Sequence, residues 1–148
     1  MPTARRTRTI AADPALVWEV IEDPHHLPRW WPGVARMEGV HDDRFTQVFM
    51  TKKGRAVRID FRLLESSPPG EAPGRRCWEQ ELAGTPFERL LGEAITEILV
   101  EPADDGTLVK LAQRQKLRGY SKFGGFMLRR ATRARLDDAL AGLERICA

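Results

Sequence analysis

Hydrophobic and polar residues alternate along much of the chain, and this pattern predicts a series of β-strands. The predicted strands cover residues 3–11, 34–41, 44–52, 55–65, 75–83, 93–101 and 107–117. Short turns, Lys53-Gly54 and Asp104-Asp105-Gly106, separate two of the consecutive pairs. Because strands joined by short turns pair antiparallel, the pattern predicts an antiparallel meander.

Helical spacing of apolar residues predicts two short helices after the first strand and one long helix at the end. Asp13-Pro14 marks the start of the first helix, since Asp caps helices and proline suits the first helical position. Asp23-Pro24 ends this helix and begins a second one, which runs to about Trp30. The long helix is predicted from about residue 125 to residue 146. Its apolar stripe consists of Leu128, Thr132, Leu136, Ala139, Leu140, Leu143 and Ile146.

The order of these elements predicts an α+β fold with a curved antiparallel sheet of about six to seven strands. The sheet has one apolar face and the terminal helix has one apolar stripe, so we expect the helix to lie across the concave face. The two short helices are expected to close one end. Residues 66–74, rich in Ser, Pro and Gly, are interpreted as an exposed loop between two strands. Residues 1–148 are therefore predicted to form a single domain.

Composition and charge narrow the function classes. The 148 residues are 42% hydrophobic and 30% charged, which is an ordinary globular balance for one domain. No apolar run approaches the roughly 20 residues of a membrane span, and no apolar stretch follows the basic start, so a cytoplasmic protein is expected. The net charge of +3 is scattered. Its densest patch, at Arg129, Arg130, Arg133 and Arg135, is interpreted as a solvated helix face partly paired with acids of the same helix, and no nucleic-acid binding is predicted.

Metal, redox and nucleophilic chemistry find no support in the sequence. Cys77 and Cys147 lie far apart and share no metal-ligand spacing with a histidine, so no disulfide framework or metal site is predicted. His25, His26 and His41 are interpreted as loop residues without a positioned partner. Phosphate-binding loops and the nucleophile elbow of hydrolases are absent. We therefore expect no cofactor.

Three segments carry a resemblance to a known superfamily. They are residues 9–24 (TIAADPALVWEVIEDP), residues 27–34 (LPRWWPGV), and the Phe123-Gly124-Gly125 entry into the long helix. They resemble the START-like, Bet v 1-like proteins, also called the SRPBCC superfamily, and within it the polyketide cyclase/dehydrase and lipid-transport branch. The resemblance implies a helix-grip fold with an apolar cavity between sheet and helix. It further implies a single START-like domain that binds a hydrophobic small molecule such as a lipid or a polyketide.

The alternation of the strands indicates which side chains would line such a cavity. Gln80, Gln113 and Gln115 share the inward faces with apolar residues, whereas the acids and bases of the same strands point outward. Amides orient a ligand but do not exchange protons near neutral pH, so the pattern favours binding over acid–base catalysis. The predicted ligand-binding set is Trp30, Trp31, Ile59, Phe61, Trp78, Gln80, Leu111, Gln113, Gln115 and Tyr120.

Several interpretations of these residues stay open at the level of sequence. Trp30 and Trp31 either stack on a flat ligand or plug the end of the sheet as core residues. Tyr120 either anchors the start of the long helix or serves as a hydrogen-bond donor or weak candidate acid. Residues 85–91, between Gly84 and Gly92, form either a gating loop or a plain connection.

Three functions therefore compete. The first is a carrier or sensor of a hydrophobic small molecule. The second is an aromatase/cyclase-like enzyme with polyketide cyclase/dehydratase-like activity, in which the cavity folds the substrate. The third is an interaction protein with a collapsed cavity that acts through its arginine-rich helix face. The sequence is compatible with a monomer or a homodimer.

Overall fold

The computed structural model describes residues 3–119 and 122–148, except for the side chains of residues 122 and 123. Within this part of the chain, seven strands form one antiparallel sheet in the order β1-β7-β6-β5-β4-β3-β2. The strands are β1 (Thr3–Ile10), β2 (Val34–His41), β3 (Arg44–Met50), β4 (Ala56–Ser67), β5 (Gly74–Gln80), β6 (Leu91–Ala103) and β7 (Gly106–Leu117). The helices are α1 (Pro14–Glu22), α2 (Leu27–Trp30) and α3 (Lys122–Cys147). The predicted helix-grip fold is thus confirmed.

The chain between β1 and β2 turns where the sequence places Asp and Pro. Asp13 occupies the N-cap position of α1 as predicted, although its side chain makes no capping hydrogen bond. Asp23 ends α1 and caps a 3₁₀ turn, Pro24–His26, by accepting a hydrogen bond of 3.0 Å from the backbone N–H of His25. This turn leads directly into α2.

The prediction for β5 was wrong in its last three residues. The strand ends at Gln80, and the backbone N–H of Glu81 donates to the carbonyl oxygen of Asp60 at 2.8 Å. The chain then turns through Gly84, whose φ of +77° favours glycine, into a 3₁₀ turn at Pro86–Arg89. Leu82, which the predicted strand included, therefore lies beyond the observed one.

Helix α3 contacts β1, β7, α1 and α2, and its apolar stripe forms the centre of the core. Leu136 and Leu143 are completely buried and Leu140 is 1% exposed, so the predicted packing face is confirmed. Helix α2 crosses α3 closely at Gly142. A Cβ atom at Gly142 would lie 2.6 Å from the carbonyl oxygen of Trp30, which only glycine avoids. None of the described helices is long and apolar enough to cross a membrane.

Ion pairs join the sheet to α3, and other ion pairs cover the convex face of the sheet. Arg6 and Arg8 of β1 pair with Asp137 and Glu144 of α3 at 3.2 and 3.3 Å. The expectation that the α3 acids pair with arginines of the same helix is therefore wrong, because the edge strand β1 brings its own arginines to them. The cross-strand pairs of the convex face include Arg58–Glu38, Arg44–Glu81, Arg75–Glu97, Lys110–Glu101 and Arg114–Glu93.

Candidate functional site

A recess opens between the concave face of the sheet and α3. Its volume is about 80 Å³, and it is partly open to solvent. Strands β3 to β7 form its walls, α3 contributes one side chain, and Trp31 closes the end near α2. The lining residues are Trp31, Gln47, Phe49, Ile59, Phe61, Trp78, Gln80, Ala94, Ile95, Thr96, Gln113, Gln115 and Arg135.

Aromatic rings form the floor of the recess. Trp78 is 2% exposed, and its ring meets Trp31 edge to face, with ring centroids 5.9 Å apart. Phe45 stacks on Phe61 at 5.5 Å and meets Trp78 edge to face at 5.7 Å. These are favourable geometries for aromatic pairs, so the floor is rigid. The rings also bound the recess on the side of the core.

Two of the predicted amides are engaged with threonines of the recess. Gln113 on β7 donates a hydrogen bond from Nε2 to Oγ1 of Thr96 on β6, at 3.0 Å. Thr132 on α3 donates from Oγ1 to Oε1 of Gln115 on β7, also at 3.0 Å. These bonds fix both carboxamides in orientation, and the second one attaches α3 to the wall of the recess.

Gln47 and Gln80 differ from this pair because their carboxamides have no hydrogen-bond partner among the described residues. Gln47 on β3 is only 2% exposed, yet its amide faces the recess. The fully enclosed side-chain polar atoms without a partner in the described residues are Nδ1 of His26 and Nε1 of Trp30, so the Gln47 amide is open to the recess. Such a group is typical of a site that presents hydrogen bonds to a bound molecule.

Arg135 stands at the mouth of the recess. Its guanidinium carbon lies 5.9 Å from the centre of the Phe49 ring, within the range of a cation–π interaction. Arg135 is exposed as a residue, but the protein atoms around its guanidinium partly desolvate it and lower its pKa. An arginine remains protonated at neutral pH despite such a shift. Among residues 3–119 and 122–148, no carboxylate lies within ion-pair distance of Arg135.

The structure brings most of the predicted ligand-binding residues to this recess. They are Trp31, Ile59, Phe61, Trp78, Gln80, Gln113 and Gln115. Trp30 and Leu111 do not line it; they are 3% and 0% exposed and pack inside the core. For these two the predicted ligand contact is corrected to a packing role. Tyr120 lies outside the described residues.

Sequence reasoning missed the contributions of β3 and α3. The prediction assigned no inward face to residues 44–52, although the alternation of Phe45, Gln47 and Phe49 carries that signal. It placed Arg135 on the solvated face of the long helix; Arg135 is indeed exposed, but it also lines the recess. Arg135 lies three positions after the buried Thr132, and that spacing turns it toward the recess.

The remaining candidates lie away from the recess. The ring of His25 lies 3.0 Å from Asp23, at the turn before α2, and His41 is exposed on β2. Residues 85–91 contain the 3₁₀ turn, in which the Thr85 hydroxyl accepts a hydrogen bond from the backbone N–H of Phe87. Neither group contributes to the lining of the recess.

Comparisons with known proteins agree on one family and one fold. A family model described as polyketide cyclase / dehydrase and lipid transport matches residues 1–148. The protein XoxI from Bacillus cereus is similar in structure, with a TM-score of 0.72 and 19% identity over 99% of this chain and 96% of that one. No curated protein matches the sequence.

Two di-domain ARO/CYC proteins are also similar in structure. BexL, from the BE-7585A biosynthetic pathway, has a TM-score of 0.77 and 22% identity over 98% of this chain and 46% of that one. StfQ, from the steffimycin biosynthetic pathway, has a TM-score of 0.76 and 16% identity over 99% of this chain and 50% of that one. The chain thus spans about half the length of each di-domain protein. At these identities the similarity establishes the fold.

Proposed function

We propose that this chain, which belongs to the polyketide cyclase / dehydrase and lipid transport family, binds a small hydrophobic molecule with polar substituents in the recess between sheet and α3. The observation that carries the proposal is the combination of an aromatic floor with the unpartnered carboxamide of Gln47. Apolar area removed from water supplies the driving force, at ~25 cal/mol per Å². The amides select how the molecule is oriented.

The chemistry of the recess favours binding over proton transfer. Of its described lining residues, Arg135 is the one ionisable group, and an arginine does not act as a general base near neutral pH. Acids of the same strands, such as Glu79 and Glu93, carry out ion pairing on the convex face. A carrier or sensor function therefore accounts for the side chains of the recess without a proton donor.

A polyketide cyclase function is the second candidate, and the family match together with the two ARO/CYC structures favours it. In that case the recess would act by holding a flexible chain in one folded conformation, which is catalysis by proximity. An incubation with a poly-β-keto thioester, followed by mass spectrometry of the products, distinguishes the carrier function from the cyclase function. Cyclised products formed faster than in buffer support the enzyme, and unchanged spontaneous products support the carrier.

Binding itself is tested by titrating 2-naphthamide and observing the fluorescence of Trp31 and Trp78, which face the recess. We expect saturable quenching at micromolar concentration, since ordering costs offset much of the apolar gain. Ala94→Phe would fill the recess and abolish the signal. Ala112→Phe is the matched control, because Ala112 on the neighbouring strand faces the convex side. Equal loss of binding in both variants, or no saturation in the wild type, would contradict the proposal.

A further inference from the structure

We infer that the ligand of the recess carries a carboxylate, and that Arg135 binds this carboxylate at the mouth. The inference rests on the proposed function, because it concerns the same recess and specifies the chemical class of its ligand. Its starting point is that one cation faces a lining whose other described members are apolar residues, glutamines and a threonine.

The charge of Arg135 is uncompensated within the described part of the chain. Asp137 and Glu144, the acids of α3 that face the sheet, are engaged with Arg6 and Arg8 of β1. Asp138, on the next turn of the helix, forms no ion pair with Arg135. A partly desolvated arginine without a counter-ion makes a stronger bond to an incoming anion than a fully solvated one does.

The position of Arg135 is suited to a planar acid. The guanidinium lies over the Phe49 ring, and a cation–π contact does not use up its N–H groups, so they stay available for a bidentate contact with a carboxylate. Phe49 is also part of the recess wall, so a molecule bound to Arg135 would extend its apolar part along the same wall.

The spacing of the inward-facing residues along β3 indicates the length of the ligand. Phe45, Gln47 and Phe49 share the concave face of this strand, and alternate residues are separated by roughly 6.6 Å. Gln47 therefore lies about one ring length deeper than the mouth. The geometry points to an aromatic carboxylic acid whose ring lies between Arg135 and Gln47, with a hydroxyl or carbonyl group toward the amide.

The test compares 2-naphthoate with 2-naphthamide, which has the same shape and no charge at neutral pH, by isothermal titration calorimetry. We expect the wild-type protein to prefer the carboxylate by about tenfold, the value of one charge-assisted contact. Arg135→Gln should remove this preference, so that the variant binds 2-naphthoate and 2-naphthamide with equal affinity. Arg135→Lys should retain part of it, since lysine keeps the charge without the planar fork.

Arg130→Gln provides the matched control, because Arg130 is exposed on the same helix, lies outside the recess and changes the net charge equally. Full preference for 2-naphthoate in this variant would assign the effect to Arg135 and not to the overall charge. Binding of 2-naphthamide without any preference for 2-naphthoate overturns the inference and leaves the proposed function standing. Equal loss of both ligands in Arg135→Gln also overturns it, and failure of both ligands to bind the wild type overturns both proposals.

Discussion

The hydroxyl of Thr132 on α3 donates a hydrogen bond of 3.0 Å to Oε1 of Gln115 on β7, and this bond ties the long helix to one wall of the recess. Thr132 is 4% exposed, so the bond is protected from water on the helix side. Arg135 lies almost one turn further along the same helix. The bond to Gln115 therefore fixes the helix segment that carries the guanidinium to the mouth.

Replacement of Thr132 tests how much its hydrogen bond to Gln115 contributes to stability. Thr132→Val preserves the shape of the side chain but leaves the Gln115 oxygen without its donor, and we expect the free energy of unfolding to fall by about 1–3 kcal/mol. Urea denaturation measures this loss. The double variant Thr132→Val/Gln115→Leu should recover part of it, because no unpaired polar group then remains. Strictly additive losses would show that the two side chains are not coupled.

The framework of the fold was predictable because alternation and helical spacing report directly on burial. Trp78 and Gln113 were assigned to the inward face from strand alternation alone, and both line the recess. Leu111 obeys the same alternation but lies in the core, since alternation gives the face of a strand and not the position of α3 above it. A partner element distant in sequence decides which inward residues reach the recess.

Charged side chains were the least predictable part. Arg76 was counted with scattered surface cations, yet it is 6% exposed and donates to the hydroxyl of Ser66 at 2.9 Å. Desolvation lowers its pKa, whereas the nearby carboxylates of Glu22 and Asp23 oppose that shift. Its burial contradicts the rule that charges stay outside, and the carboxylates near it belong to elements far away in the chain.

The contribution of α3 to the core is tested at Leu140, which is 1% exposed. Leu140→Ala removes buried methyl groups and leaves a cavity, so we expect a loss of about 2–5 kcal/mol in unfolding free energy. Leu16→Ala is the control, since Leu16 on α1 is 47% exposed and should lose less than about 0.5 kcal/mol. Chemical denaturation monitored by tryptophan fluorescence compares the two, and similar small losses would contradict the helix-grip packing.

Close contact between α2 and α3 predicts an unusual response to Gly142→Ala. In an open helix this change stabilises by about 1 kcal/mol, because alanine is the better helix former. Here the new Cβ would lie 2.6 Å from the carbonyl oxygen of Trp30, so we expect a loss of thermal stability instead. The reverse substitution at an exposed site of the same helix, Ala134→Gly, measures how much helix propensity alone changes the stability. A higher melting temperature for Gly142→Ala would show that the helices move apart at no cost.

The cap at Asp23 predicts a pH dependence of stability. Partial burial raises the pKa of this carboxyl, but the hydrogen bonds from His25 and the charges of His25 and His26 outweigh that effect and lower the pKa overall. A folded-state pKa below the unfolded value stabilises the protein above the unfolded value, about 3.9, and the contribution is lost as the pH falls through the folded value.

Asp23→Ala should therefore lower stability by about 1 kcal/mol at pH 7 and by progressively less as the pH falls through the lowered folded-state pKa, where the wild-type carboxyl becomes protonated. Melting temperatures measured over a series of pH values from 7 downward give the difference. Asp13→Ala serves for comparison, since Asp13 holds the N-cap position of α1 without a side-chain capping bond and should cost less at pH 7. If the stability lost in Asp23→Ala does not change with pH, the loss comes from packing and not from the charge of the carboxyl.

Two glutamines of the recess, Gln113 and Gln47, should respond to the same substitution with opposite sign. Gln113→Leu leaves the hydroxyl of Thr96 without its donor, which we expect to cost about 1–3 kcal/mol of unfolding free energy. Gln47→Leu removes an amide that has no partner among the described residues, so stability should stay constant or rise. The same variant should weaken binding of 6-hydroxy-2-naphthoate but not of 2-naphthoate, because only the hydroxyl reaches the amide. A group retained at a cost in stability is expected to have a function. A Gln47→Leu protein that is more stable than the wild type and binds both acids equally well would show that this function is not ligand binding.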